Sequence, residues 1–206
     1  QDGEKEDTEK KPTVTIGTAD FEAKEAGTYT ATADVTITGA TDCALGLYTY
    51  KITETDAGVA GVDYVAEPVY LVVTVLRDEN SQKHYVAAIH YEKVDGSKTD
   101  KTTNDYDAGS LKITKKITGN MADMTKEFPI KVTFTPQEGD HFVNVNDVQI
   151  VNNGTTAGID YSYTSNDDGT VTVTFTLTNG ESAEFTNIPS GTTYVVEETD
   201  LYGYTQ

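Results

Sequence analysis

The sequence has one cysteine, Cys43, so no disulfide can form within the chain. If the protein works outside the cell, something else must stabilise it. Cys43 itself reads as a small, partly buried side chain. Tryptophan is absent, and no apolar run approaches the length of a membrane-spanning helix. Histidine is scarce: His84, His90 and His141 stand apart, with no second ligand at zinc spacing. No Ser-His-Asp or Cys-His constellation is visible, so neither a turnover enzyme nor a cofactor is expected. Basic residues are few as well. Fifteen Lys and Arg stand against 34 Asp and Glu, a formal net charge of −19. Such a surface repels nucleic acid and anionic lipid. It favours solubility and suits an extracellular protein.

What is abundant is Thr, with Val, Tyr and Ile, residues that fit a pleated, half-buried surface. The expected class is all-β, built from many short strands. The clearest is Thr170–Leu177, in the run "DGTVTVTFTLTNG", where Val171, Val173, Phe175 and Leu177 alternate with threonines. "SNDDGT" ahead of it reads as a solvated hairpin tip. Further strands are expected over Thr13–Ile16, Thr28–Ile37, Gly46–Thr55, Pro68–Leu76, His84–Glu92, Ser110–Ile117, Glu127–Thr135, Asn146–Val151, Ala183–Thr186 and Thr192–Glu198. The polar stretch 95–110 marks a junction near Asp107, giving domains of residues 1–106, with a polar tail over 1–12, and 107–206.

One strand breaks its own pattern. In "SLKITKKITGN", Leu111, Ile113 and Lys115 fall on one face, so a lysine occupies an apolar position. "LYTYKITET" and "TTYVVEETD" show the same device with the opposite charge: Glu54 follows Tyr48, Tyr50 and Ile52, and Glu198 follows Tyr194 and Val196. Burial of an amine favours its neutral, nucleophilic form, and burial of a carboxyl favours the neutral acid. With an Asn carboxamide between them, the acid polarises the carbonyl and the amine attacks. Ammonia leaves, and an amide joins the two side chains. Proximity in a water-poor core supplies much of the acceleration.

These residues carry a resemblance. "SLKITKKITGN" resembles the first strand of the isopeptide-bonded (CnaB-type) domains of Gram-positive sortase-assembled pilins. "FTNIPSGTTYVVEE" is similar to their later signature, and "GLYTYKITETDAGVAGVDYVAEPVYLVVTVLRD" resembles the amino-terminal domain of streptococcal major pilins. The resemblance implies two tandem Ig-like β-sandwiches, each crosslinked by a Lys–Asn bond formed beside a catalytic Glu. By position, Lys115 is then the amine and Glu198 the acid of the second domain, while Glu54 is the acid and Asn104 the carboxamide of the first. Thr102 stands two residues before Asn104, where the family has an apolar residue. No lysine of the first half, neither Lys10 nor Lys11 nor Lys24, follows alternating apolar residues as Lys115 does. The missing partners are therefore expected on strands outside this sequence or on neighbouring chains. The resemblance also implies a sortase that joins one subunit's carboxy terminus to a lysine of the next, here Lys98, with Lys101 as the alternative.

The implied function is a shaft subunit of a covalent pilus on the cell wall. Its partners are head-to-tail pilin subunits and a pilus-specific sortase. The alternative is an unpolymerised adhesin or stalk that binds a host or surface ligand, with Tyr202 and Tyr204 as candidates for an exposed patch or for strand packing. The plain alternative to the crosslink chemistry is an ordinary Lys115–Glu198 ion pair at the core edge.

Overall fold

The computed structural model describes residues 10–19, 27–28, 31–143 and 160–205. In chain order the strands among them are β1 (Thr13–Ile16), β2 (Gly27–Thr28), β3 (Val35–Thr38), β4 (Gly46–Ile52), β5 (Val62–Asp63), β6 (Val69–Arg77) and β7 (His84–Glu92). They continue with β8 (Asp105–Tyr106), β9 (Ala108–Thr114), β10 (Phe128–Thr135), β11 (Tyr161–Ser165), β12 (Val171–Leu177), β13 (Ser182–Pro189) and β14 (Thr193–Glu198). The expected strand Asn146–Val151, residues 29–30 of the expected strand Thr28–Ile37, and Lys24 lie outside the described residues; residues 31–34 are not in a strand, and β3 begins only at Val35. The fold is all-β, in two compact units. One comprises residues 10–19, 31–55 and 64–104; the other comprises Gly27–Thr28, Asp56–Asp63 and residues 105–205.

The first unit packs an antiparallel sheet, β4-β6-β7, against the antiparallel pair β1-β3. Its middle strand is the most apolar, "VYLVVTVLR", because a central strand is paired on both edges and covered on its inner face. Leu71, Val73 and Val75 point inward and are fully buried. Val14, Val35 and Ile37 cover them from the pair, and Tyr48, Tyr50 and Ile52 flank them from β4. Tyr48 and Tyr50 stand directly opposite Val73 and Leu71, so the period-2 pattern of β4 matches that of β6. The Tyr50 hydroxyl donates to the Pro12 carbonyl, which ties the segment before β1 to this core.

The second unit is a sandwich of the four-stranded sheet β11-β12-β10-β14 and the pair β13-β9. Phe134, Phe175 and Phe185 meet at its centre, with ring centroids 5.4 Å (Phe134–Phe185) and 5.7 Å (Phe175–Phe185) apart. The alternating face of β12 is buried as the pattern requires, with Val171, Val173, Phe175 and Leu177 inward. A two-stranded layer cannot cover a four-stranded one completely. β14 lies at the sheet edge, and Tyr194 and Val196, expected in the core, are 52% and 41% exposed. A further small sheet, β2-β8-β5, belongs to this unit. Gly61 permits its close packing: φ is +78°, the Asp107 N–H donates to its carbonyl at 2.9 Å, and a Cβ would stand 2.7 Å from the Asp107 carbonyl oxygen.

Candidate functional site: a core-edge lysine and its carboxylate

β9 sends Leu111 and Ile113 toward the core of the second unit. Regular pairing with β13 ends where Thr114 faces Ser182. Lys115 comes next, on the same face as Leu111 and Ile113, and its side chain is only 14% exposed. β14 pairs with β10 and sets Glu198 opposite Ile130. The Glu198 side chain is 11% exposed. The Lys115 Nζ donates to both carboxylate oxygens, at 2.7 Å to Oε1 and 2.8 Å to Oε2. The two residues are 83 positions apart in sequence and meet only through the sandwich.

A third group completes the arrangement. Nζ lies 3.8 Å from the ring centroid of Phe128, the first residue of β10, which is fully buried. An ammonium over an aromatic face is attracted by the ring quadrupole. Tyr202 and Tyr204 pack edge-on against the same ring, with centroids at 5.8 and 5.4 Å. The Asp123 N–H donates to the Tyr204 hydroxyl at 2.9 Å, and the Lys126 Nζ stands 3.6 Å over the ring of Tyr202. Beside the ion pair is a cavity of about 150 Å³ with apolar walls from Ile113, Ile130, Leu177 and Val196.

This geometry sets what the pair can do. Removing two charges from water is costly, and a short, two-pronged contact recovers much of that cost. At 2.7 Å, transfer of one proton from Nζ to the carboxylate leaves a neutral amine next to a neutral acid. Both then face the same apolar cavity.

In the first unit Glu54 and Asn104 also meet. The Asn104 Nδ2 donates to the Glu54 carboxylate, and its Oδ1 accepts from the Val65 N–H at 3.0 Å. The surroundings differ from those of Lys115. β4 ends at Ile52, so Glu54 lies two residues beyond the strand and is exposed rather than set in the core. Lys98 is exposed and stands opposite Glu92 in an antiparallel bridge. Lys101 is exposed, with its N–H on the Thr99 hydroxyl at 3.2 Å. Lys10 and Lys11 are exposed as well. Cys43 is buried, and its thiol donates to the Gly39 carbonyl at 3.1 Å.

The hairpin tip ahead of β12 uses its acid internally. Asp168 Oδ1 accepts from both the N–H and the hydroxyl of Thr170, at 3.0 and 2.7 Å. These bonds favour the ionised form and hold the Asp168 carboxyl below the usual aspartate range, the hydroxyl contributing most. Among the described residues no cluster of three or more His, Cys, Asp or Glu could hold a metal ion. None of their helices is long and apolar enough to cross a membrane.

Phe128 is the site residue that the sequence reading missed. Its alternation with Ile130, Val132 and Phe134 marks a core strand, but nothing local indicates that its ring lies beneath a lysine from another strand.

Comparison with known proteins adds a relationship to this geometry. A family described as a domain of unknown function, DUF7601, matches residues 109–206, the region that holds Lys115 and Glu198. A protein named Pilin from Streptococcus pyogenes serotype M1 is 30% identical over 185 residues, covering 84% of this chain. The chain is homologous to a streptococcal pilin. It spans 50% of the length of that pilin. A crystal structure of a mutant of the major pilin from Streptococcus pyogenes superposes with a TM-score of 0.50 at 27% identity, over 82% of this chain and 61% of that one. A second crystal structure of the major pilin gives a TM-score of 0.48 at 24% identity, over 93% of this chain and 76% of the pilin.

Proposed function

We propose that the chain is a shaft subunit of a covalent, sortase-assembled cell-surface pilus, and that Lys115 is the amine of an intramolecular-type isopeptide bond promoted by Glu198. The observation that carries this reading is the Lys115–Glu198 pair, held over Phe128 beside an apolar cavity, in a chain homologous to a pilin.

The chemistry follows from the pair. Glu198 takes a proton from the Lys115 ammonium. The neutral Nζ attacks the side-chain carbonyl carbon of an asparagine delivered into the cavity. The new C–N bond forms as the old one, to the carboxamide nitrogen, breaks. The leaving nitrogen takes the acid proton, Glu198 recovers one from the attacking amine, and ammonia departs. The bond forms once per molecule and needs no cofactor, so the protein is not a turnover enzyme. Glu54 and Asn104 are the acid and carboxamide of the corresponding bond in the first unit. Their hydrogen bond supports that pairing, and the exposure of Glu54 makes it the drier chemistry's weaker setting.

Lys98 is the acceptor to which a pilus sortase joins the carboxy terminus of the neighbouring subunit, with Lys101 as the alternative. Its exposure on a hairpin edge supports this assignment. The partners are then other subunits, head to tail, and the sortase, at the cell wall.

Intact-mass measurement of the protein isolated from its native surface tests the reading. Each internal bond removes one ammonia, and Glu198→Ala should restore the mass lost in the second unit. A native protein with no deficit leaves Lys115 and Glu198 as an ordinary ion pair. Peptide mapping of the same extract should find Lys98 or Lys101 branched. Two unmodified lysines would point instead to an unpolymerised adhesin or stalk that binds a host or surface ligand.

A further inference from the structure

We propose that the turn Asn179–Glu181 positions Lys115, with Asn179 as its decisive side chain; as a statement about the reacting amine, this rests on the function proposed above. The turn joins β12 to β13 and lies 62 residues from the backbone group that the Asn179 side chain holds.

Regular β9–β13 pairing stops at Thr114, one residue before the lysine. A lysine on an unheld backbone would sweep a wide volume, because its stem has four rotatable carbons. Here the turn takes over from the strand. The Lys115 N–H donates to the Glu181 carbonyl at 2.9 Å, and the Lys115 carbonyl accepts from the Gly180 N–H at 2.8 Å. The Asn179 Oδ1 then accepts from the Ile117 N–H at 2.7 Å. Ile117 is buried, so that N–H has little water to turn to if the carboxamide is removed. The turn is also closed on itself: the Thr178 N–H donates to the Glu181 carboxylate at 2.7 Å, and Gly180 sits at φ +84°, a conformation that favours glycine.

Both backbone groups of Lys115 and the N–H of Ile117 are thus fixed by three consecutive residues. With the backbone fixed, the Cα–Cβ direction of Lys115 is fixed, and its stem needs only its own rotamers to seat Nζ between Glu198 and Phe128. Asn179 bonds the backbone of Ile117 rather than Nζ. It is a positioning residue, acting through the backbone.

Acetylation of the chain with Lys115 uncrosslinked, as verified by an intact mass without ammonia loss, using an N-hydroxysuccinimide ester and read residue by residue by mass spectrometry, tests this. Lys112 and Lys116 are exposed and serve as internal references. In the parent chain Lys115 should react many-fold more slowly than they do. Asn179→Ala should raise the Lys115 rate several-fold relative to both references. Asn179→Asp keeps the acceptor oxygen and should return it close to the parent value. An unchanged rate ratio in a folded Asn179→Ala chain overturns the proposal, and so does failure of Asn179→Asp to restore it. If Asn179→Ala does not fold, hydrogen exchange of the Ile117 amide in the parent decides: strong protection supports the clasp, and exchange at the rate of an exposed loop overturns it. None of these readouts requires a crosslink. A native protein without ammonia loss would therefore sink the proposed function and leave the positioning result standing.

Discussion

Replacing Glu198 with Leu removes the carboxylate and leaves the Lys115 ammonium against apolar walls. Breaking a buried ion pair by deleting one partner typically costs about 3–5 kcal/mol. Two features reduce that here. The cavity beside the pair gives the ammonium a route to water, and the Phe128 ring keeps an attraction of roughly 1–2 kcal/mol. The expected loss is therefore about 2–3 kcal/mol. With a urea m-value of roughly 1–3 kcal/mol per molar, the midpoint should fall by about 0.7–3 M. The double replacement Lys115→Met with Glu198→Leu removes both charges and fills the space with apolar atoms. It should lie within about 1 kcal/mol of the parent. The Lys131–Glu197 pair is the control, because its side chains are 37% and 49% exposed; breaking it should cost no more than about 1 kcal/mol. Two units unfold in this chain, so the assay is urea titration with hydrogen-exchange mass spectrometry of peptides from β10 and β12. A Glu198→Leu cost no larger than the control's would refute the claim that Lys115 and Glu198 form a largely buried pair. So would a double variant as unstable as the single one.

Phe185 is fully buried against Phe134 and Phe175, and Phe185→Ala should cost roughly 3–5 kcal/mol by the same assay, with the loss in peptides of the second unit (β9, β10, β12 and β13) and not in those of β4 and β6. The Asp168 carboxyl is lowered by Thr170, so its contribution to stability is present above the unfolded aspartate value and is lost as pH falls through the lower folded one. A carboxyl NMR titration should place its midpoint below that of an unstructured aspartate, and Thr170→Val should move it upward. Burial raises the Tyr50 phenol, with Cys43 and Tyr48 adding to it, so its contribution is complete below the unfolded tyrosine value and is lost as pH rises through the folded one. Ultraviolet titration should show a late-ionising phase that Tyr50→Phe reduces by one tyrosine.

Local pattern carried much of the fold. Strands β1 and β7 fall on the expected residues, and β6, β10, β12 and β14 within a residue at each end, because alternation and turn chemistry are local properties. Four elements were not legible. β2, β5 and β8 are two-residue strands, too short to show a period. β11, "YSYTS", has no clear apolar face, and only its pairing with β12 makes it a strand. Exposure was harder to read than secondary structure. Tyr194 and Val196 carry a core pattern but lie on an edge that the two-stranded layer does not cover, and Glu54 falls just past the end of its strand.

By itself the sequence determined that one lysine occupies an apolar strand position and that a glutamate ends another apolar strand, since side-chain alternation needs no information beyond the neighbouring residues. It also determined the all-β class, through composition and period. Only the tertiary structure decided that Lys115 meets Glu198, that Phe128 underlies the amine, and that the Asn179–Glu181 turn holds the lysine's backbone. Each of those contacts joins residues from different strands or turns. Their distance is set by sheet register and by the packing of one sheet on the other, which no stretch of sequence contains alone.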